Sequence, residues 1–272
     1  MIPPYGEPLP QCDGPKLKPF KLPMPNPEFH RLISDPDAGG QAHVFEASIG
    51  STAYAIKVFE FYDVGWDRAP LVGEEENMVS DDLLEAHCDP FFRECRAYGR
   101  LEEEKVNGKV AVHCYGYITI PCEKEKLFRR KFKIYDWNRP GVERSIPVSE
   151  RQPLRAIVKE LILKDTPLTG RVADKILRDM KRMRRCGICS NDVFPRNYKD
   201  GLLVDMGLAM TEPFFLFKVR RERKKMLKDK ELYMWENMVK ENQLDTRTRP
   251  FRNEEYCKKL RPPKPKTRRL KH

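Results

Sequence analysis

The sequence predicts an α+β protein in which an N-terminal antiparallel sheet carrying one helix joins a short helical lobe. Three observations predict it. Residues 29–61 contain the runs "FHRLIS", "AHVFEASI" and "AYAIKVFEF", whose alternating, β-branched and aromatic character is that of half-buried strands. A helix signal follows at "DPFFRECRAYGRLEEE", with Asp89 as the N-cap and Pro90 at the first helical position. Further on, "LTGRVADKILRDMKRMRRCG" repeats apolar side chains at Val172, Ile176, Leu177, Met180 and Met183, the spacing of one helix face.

In chain order, residues 1–27 come first, with prolines at 3, 4, 8, 10, 15, 19, 23, 25 and 27. That density removes backbone donors and fixes φ, so a disordered leader is expected. The last two of the three strands are joined by "GST" as a hairpin. Residues 63–88 read as an acidic insertion with one short helical turn at "SDDLLEAH". The helix opened by Asp89 precedes strands at "KVAVHCYGYITI" (109–120) and "LRAIVKELIL" (154–163). Between those strands, 121–153 is basic and rich in turn formers, which predicts a surface insertion. The amphipathic helix ends at Gly187, Asp200-Gly201 makes a tight hairpin turn, and "LLVD" is a short strand. One or two charged helices run from Glu212 to Leu244, and the last residues are expected to be unstructured. The chain thus divides into a leader (1–27), a domain (28–217) with insertions at about 63–88 and 121–153, and a basic helical tail (218–272).

Bulk composition narrows the class. No apolar stretch is long enough to span a bilayer, and "MIPPYGEPLP" lacks the basic-then-apolar order of a secretory signal. The expected compartment is therefore the nucleus or cytosol, where the eight cysteines stay thiols. The net charge of +11 is concentrated at 123–133, 181–186 and from 218–225 to 264–272. Such clusters fit nuclear-import signals or solvated helix faces. Direct nucleic-acid binding ranks last, because the tail interleaves few aromatics for base stacking.

The stretch "CSNDVFPRNYKDGLLVDMG" (189–207) carries the chemistry. Asp192, Pro195 and Asn197 follow a helix, and Asp205 and Gly207 close a short apolar strand. In order and spacing this resembles the catalytic loop and metal-binding turn of the protein-kinase-like superfamily. The resemblance implies a two-lobed fold and further parts upstream. Lys57 in "YAIKVF" stands on the third strand, Glu94 in "FFRECRAYGRL" inside the next helix, and Gly39 and Gly40 in "DAGGQAHVFEA" between the first two strands.

The implied roles follow the logic of phosphoryl transfer, which needs positioning and charge neutralisation. Lys57 would hold the α- and β-phosphates of ATP, with Glu94 fixing it by an ion pair. Backbone N–H groups near Gly39 and Gly40 would approach phosphate, and Val44 and Ala55 would sandwich the adenine. The backbone at Glu160 and Leu161 would act as hinge. Asn197 and Asp205 would hold Mg²⁺, and Asp192 would orient or accept the proton of an attacking hydroxyl.

Several positions depart from the superfamily pattern. Ser190 stands where His is usual, Met206 replaces Phe, Ala42 and Asp37 replace loop glycines, and Lys159 replaces an apolar residue before the hinge. No Ala-Pro-Glu follows Asp205-Met206-Gly207, so the helical lobe is short. More narrowly, the chain looks like a fungal family grouped with an inner-kinetochore subunit, over about residues 28–217. The pieces that carry this likeness are "GGQAHVFEA", "YAIKVFEF", "RECRAYGRL" and "CSNDVFPRNY". That grouping implies a nuclear role, with a pseudokinase scaffold bound to a protein partner as the alternative to phosphotransfer. A second chemistry competes: Cys186 and Cys189 have zinc-ligand spacing, with His87-Cys88 and His113-Cys114 as possible partners.

Overall fold

The computed structural model describes residues 9, 13–21, 26–35, 40–68, 79–163, 166–219 and 221–250, with backbone alone at 142, 218, 219, 221 and 223. Strands β1 (Glu28–Leu32), β2 (Ala42–Ile49), β3 (Thr52–Phe59), β4 (Cys114–Ile120) and β5 (Leu154–Glu160) form one sheet. Their order is β1-β2-β3-β5-β4, and every neighbouring pair is antiparallel. The protein is thus mixed α and β, with the sheet at its N-terminal side.

Side-chain parity divides the sheet into two faces. On one face Phe45, Ala47, Ile56, Val58, Ala156 and Val158 are buried in a common apolar cluster. On the other, Phe59 and Ile157 join a larger cluster with Phe91, Tyr98 and Leu101. Lys57 pairs with Ile157 across β3 and β5, and Lys159 pairs with Ala55, so both lysines project toward this second face.

Helices α1 (Gly65–Arg68) and α2 (Asp81–Cys88) precede α3 (Pro90–Glu103), which covers the second face. Asp89 caps α3 as expected, its side chain accepting from Phe91 N at 2.8 Å. Ser80 caps α2 in the same way, accepting from Leu83 N. The expected strand at 109–120 begins only at Cys114. Val110, Ala111 and Val112 are buried in the loop before it, and the Asn107 amide holds the Cys114 backbone at both N–H and C=O.

Residues 121–153 are not a surface insertion. Helix α4 (Glu125–Phe132) and the segment after it place Phe128, Ile134 and Trp137 against the first face of the sheet. Phe128 packs edge-on to Phe29 at 4.8 Å between ring centroids, and the basic side chains lie on the outer side. A short helix α5 (Gly141–Arg144) and a 3-10 turn (Val148–Glu150) complete the segment, in which Arg139 pairs with Glu125 and Glu143. An exposed apolar sheet face has to be covered, and this segment covers it.

The leader also differs from expectation, because residues 13–21 are packed rather than disordered. Leu17 is 2 % exposed in the larger cluster, and Phe20 N donates to Tyr117 O at 2.9 Å beside β4. The remaining leader residues, except 9, 26 and 27, lie outside the described set.

Helix α6 (Gly170–Arg185) opens the second layer, capped by Thr169, whose hydroxyl accepts from Val172 N. Two small ladders follow. Strand β6 (Ile188–Cys189) pairs with β9 (Met210–Thr211), and β7 (Tyr198–Lys199) pairs with β8 (Leu202–Leu203) through the expected Asp200-Gly201 turn. The chain ends in α7 (Phe215–Val219) and α8 (Arg221–Glu241). Helix α8 is not a detached tail: Trp235 and Met238 are buried in the larger cluster, and Trp235 Nε1 donates to Ala173 O at 2.9 Å. The terminal basic cluster 264–272 lies outside the described residues.

Candidate functional site

Between the sheet and the second layer lies a cleft of about 1000 Å³. Its floor and walls come from β2, β3 and β5 above and from the 192–208 segment below. Val44 and Ala55 line one wall, Glu160 and Leu161 the connection leaving β5, and Gly40 the end nearest the β1–β2 turn. Gly39, expected beside Gly40, lies outside the described residues, as does Asp37. Asp192, Asn197 and Asp205 line the opposite side, so with Lys57 the described sequence-predicted residues other than Glu94 converge on one space.

At the centre sit four charged groups. Lys57 Nζ donates to Glu94 Oε2 at 2.9 Å and to Asp205 Oδ1 at 2.6 Å. Glu94 is fully buried on α3, behind the cleft wall, and its other oxygen accepts from Lys159 Nζ. Lys159 also donates to the Val204 carbonyl at 2.7 Å, and only 4 % of it is exposed. Gly207 N donates to the same Asp205 oxygen, Oδ1, at 2.8 Å. Buried ion pairs hold only when their hydrogen-bonding capacity is met, and here each carboxylate has at least two donors.

These contacts set the protonation states. Burial alone would push Asp205 up, but Lys57 and Lys159 outweigh it and hold its carboxyl well below the usual carboxylate range. For Lys57 burial works against the charge, and Asp205 and Glu94 overcome it, so its ammonium is held above the usual lysine range. Asp192 moves the other way: burial raises it, with the Asn197 hydrogen bond opposing. A carboxyl raised by burial in a cleft suits proton exchange at a milder pH than an ordinary Asp.

Two departures from the superfamily pattern acquire structural partners. Lys159, a charged residue just before the β5 exit, is the second clamp on Glu94. Ser190 is held from behind by Glu231 of α8, whose Oε1 accepts from Ser190 N at 2.5 Å, Ser190 Oγ at 2.6 Å and Asn191 N at 3.2 Å. Arg184 Nε donates to the other Glu231 oxygen at 2.7 Å. A carboxylate supplied forty-one residues later thus braces the loop that carries Asp192. No local signal in the sequence marks Glu231 among the many carboxylates of that helix. On the loop itself, Asn197 Nδ2 donates to Asp192 O at 3.2 Å, and Arg196 lies 4.6 Å over the Phe194 ring at the cleft edge.

Helix α3, which carries Glu94, is fixed at both sides. Arg96 donates to Asp13 O at 2.8 Å and to Pro213 O at 2.5 Å, and Arg100 donates to Glu212 O at 2.9 Å. Gly99 lies flat under the leader, where an added Cβ would sit 2.6 Å from the Lys16 carbonyl carbon.

The zinc alternative finds no support: among the described residues no group of three or more His, Cys, Asp or Glu side chains has metal-binding geometry. The described cysteines are all buried free thiols, and burial pushes Cys186 and Cys189 up, the latter to about 12. Among the described residues no helix is long and apolar enough to cross a membrane.

A comparison with protein families finds a match. The family described as "Kinetochore Sim4 complex subunit FTA2" matches residues 5–210, most of the chain, and includes every expected cleft residue. No curated protein matches the chain. The chain belongs to the FTA2 family of kinetochore Sim4 complex subunits. The match begins in the leader, earlier than the expected residue 28, and stops at β9, before α7 and α8.

Proposed function

We propose that this FTA2-family chain serves a nuclear kinetochore complex as a protein-kinase-like, nucleotide-binding subunit that holds a protein partner. The observation that carries the reading is the Lys57–Glu94 ion pair, at 2.9 Å, opening onto the same cleft as Asp205, Asn197 and Asp192. A buried lysine on a strand, tied to a helix carboxylate and facing a carboxylate turn, is the arrangement that phosphate positioning requires. The sheet order and the helix α3 packed on its face agree with a protein-kinase-like upper lobe, and α6 to α8 supply a short lower one.

The cleft suits ATP on size and chemistry. Its volume is at the upper end of the ~300–1000 Å³ common for small-molecule pockets. Val44 and Ala55 would take the two faces of the base, and the backbone at Glu160 and Leu161 would meet its edge. Lys57 would turn from Asp205 to the α- and β-phosphates while Glu94 keeps hold of it. Gly40, beside Gly39 in sequence, leaves room for backbone N–H groups to approach phosphate.

A second reading, phosphoryl transfer to a hydroxyl, is favoured by Asp192. Its raised carboxyl sits in the same cleft, where it would take the hydroxyl proton as the oxygen attacks the γ-phosphorus and the bond to the β-phosphate oxygen breaks.

Titration of the full chain with ATP, read by calorimetry and by thermal melting, tests the reading. Binding and a raised Tm are expected for the wild type, with affinity reduced at least tenfold in Lys57→Ala. Absence of heat and of a Tm shift at millimolar ATP would sink the nucleotide reading. Transfer of label from γ-labelled ATP, lost in Asp192→Asn, would decide for the second reading over the first.

A further inference from the structure

We propose that the outer face of α6, together with the segment that follows α8, binds the phosphate backbone of duplex DNA. None of its side chains lines the cleft. Helix α6 buries Ala173, Ile176, Leu177, Met180 and Met183 in the larger cluster. Its opposite side carries Arg171, Arg178, Lys181, Arg182 and Arg185, all exposed. The four arginines follow one another at helical intervals, so they stand in one row along the axis. At 1.5 Å per residue that row is about 21 Å long.

The carboxylates of α6 are already engaged. Asp179 accepts from Lys175 Nζ at 2.8 Å, and Asp174 accepts from Arg247 N and Thr248 N, each at 3.1 Å. Among the described residues the ion pairs of α6 are Lys175–Asp179 and Arg184–Glu231, so the five exposed cations take part in none. The contact to Asp174 also lays Arg247 and Arg249, both exposed, beside the first half of the row. The same segment crosses Gly170 so closely that an added Cβ would meet Asp245 O at 1.6 Å. Asp245 is the one carboxylate of that segment, against two arginines. Two parts of the chain that are distant in sequence thus build one positive surface.

The chemistry of the surface selects among anionic partners. Arginine dominates it, and the planar guanidinium fork matches phosphate oxygens. At 3.4 Å of axis per step, a row of about 21 Å runs past about six phosphates of one strand. An acidic protein segment would need apolar anchors as well, because binding energy between proteins concentrates on desolvated aromatic and apolar side chains. No large apolar side chain of α6 is exposed, and Val172 packs against the larger cluster. Scarce aromatics argue against stacking of single-stranded bases but leave contacts to a duplex backbone untouched. Such contacts read no base edges, so binding without sequence preference is expected.

Fluorescence anisotropy of the full chain with a labelled duplex of about 20 base pairs, between about 50 and 200 mM NaCl, tests this. Four or more phosphate contacts predict a slope of log K against log salt of about −3.6 or steeper. The variant R178Q/K181Q/R182Q/R185Q should flatten that slope by about 3–4 and weaken binding about tenfold or more at the lowest salt. Arg182→Gln alone should flatten it by about 1. These side chains are exposed, so both variants should melt within about 2 °C of the wild type. Removing as many charges from the terminal cluster, in K264Q/K266Q/R268Q/R269Q, should weaken binding less than the α6 variant does. The proposal is overturned if the wild type fails to bind at the lowest salt, or if the α6 variant keeps wild-type affinity and slope. A larger loss in the terminal variant than in the α6 variant overturns it too. Displacement of the duplex by an equal charge concentration of poly-glutamate would assign the face to an acidic protein segment instead and overturn it as well.

Discussion

Single residues in this protein do their work in pairs that are distant in sequence. Lys57, Glu94 and Asp205 are legible because each stands on an expected element in an expected order. Glu231 is not, since its meaning depends on α8 folding back against Ser190 and Arg184. Asp174 shows the same principle outside the cleft. Its two carboxylate oxygens accept from Thr248 N and Arg247 N, each at 3.1 Å, anchoring the segment after α8. Burial opposes ionisation there, but the backbone donors outweigh it and lower the carboxyl from its usual value. A carboxyl with a depressed folded-state pKa contributes stability that is present above its unfolded value, ~3.9, and lost as pH falls through the folded one. Asp174→Asn should therefore lower Tm at pH 7, by about 2–4 °C for a loss near 1 kcal/mol. The gap to wild type should narrow as melts are repeated from pH 5 toward pH 3. A gap that is unchanged with pH would show that the charge of Asp174 plays no part.

At the scale of elements, local pattern located most boundaries and misjudged three roles, the tail helix α8 among them. The cap at Asp89 and the alternation in β2 and β3 are local effects, and the structure follows them. The segment 121–153 and the leader were misjudged because composition reports exposure only on average. A basic, turn-rich segment can still place Phe128 and Trp137 on an uncovered sheet face, and a proline-rich one can lie as an extended strap that needs few backbone bonds. The strap depends on Gly99, whose missing Cβ leaves room for the Lys16 and Leu17 backbone, and on Gly116, where φ is +136° and Phe20 N approaches as closely. Gly99→Val should lift the strap from α3 and expose Leu17, a loss of about 2–3 kcal/mol. The expected readouts are a Tm lower by about 4–10 °C and faster tryptic cleavage after Lys16. Unchanged cleavage would mean that the strap is held without this contact.

For the whole molecule, the larger apolar cluster unites the leader, α3, α6, the loop before β4 and α8. Leu17 and Trp235, 218 residues apart, share it, so the described segments of the parts expected as leader, domain and tail pack together. Trp235 is 1 % exposed and hydrogen-bonded to the α6 backbone, so Trp235→Ala should cost about 3–5 kcal/mol. Denaturant melts should show the loss in a single transition, detected by far-UV circular dichroism. A separate early transition with the main one unmoved would instead mean that α8 folds as an independent unit.

The amino-acid sequence by itself determined the strands, the capped helices and the candidate cleft residues, because alternation, capping and fixed motif spacing act over a few residues. Tertiary structure alone decided that Lys159 shares Glu94 with Lys57, that Glu231 stands behind Ser190, and that Leu17 and Trp235 share one core. Those outcomes depend on the β3–β5 register and on which apolar faces remain to be covered. Both are long-range consequences of packing, and no short window of residues contains them.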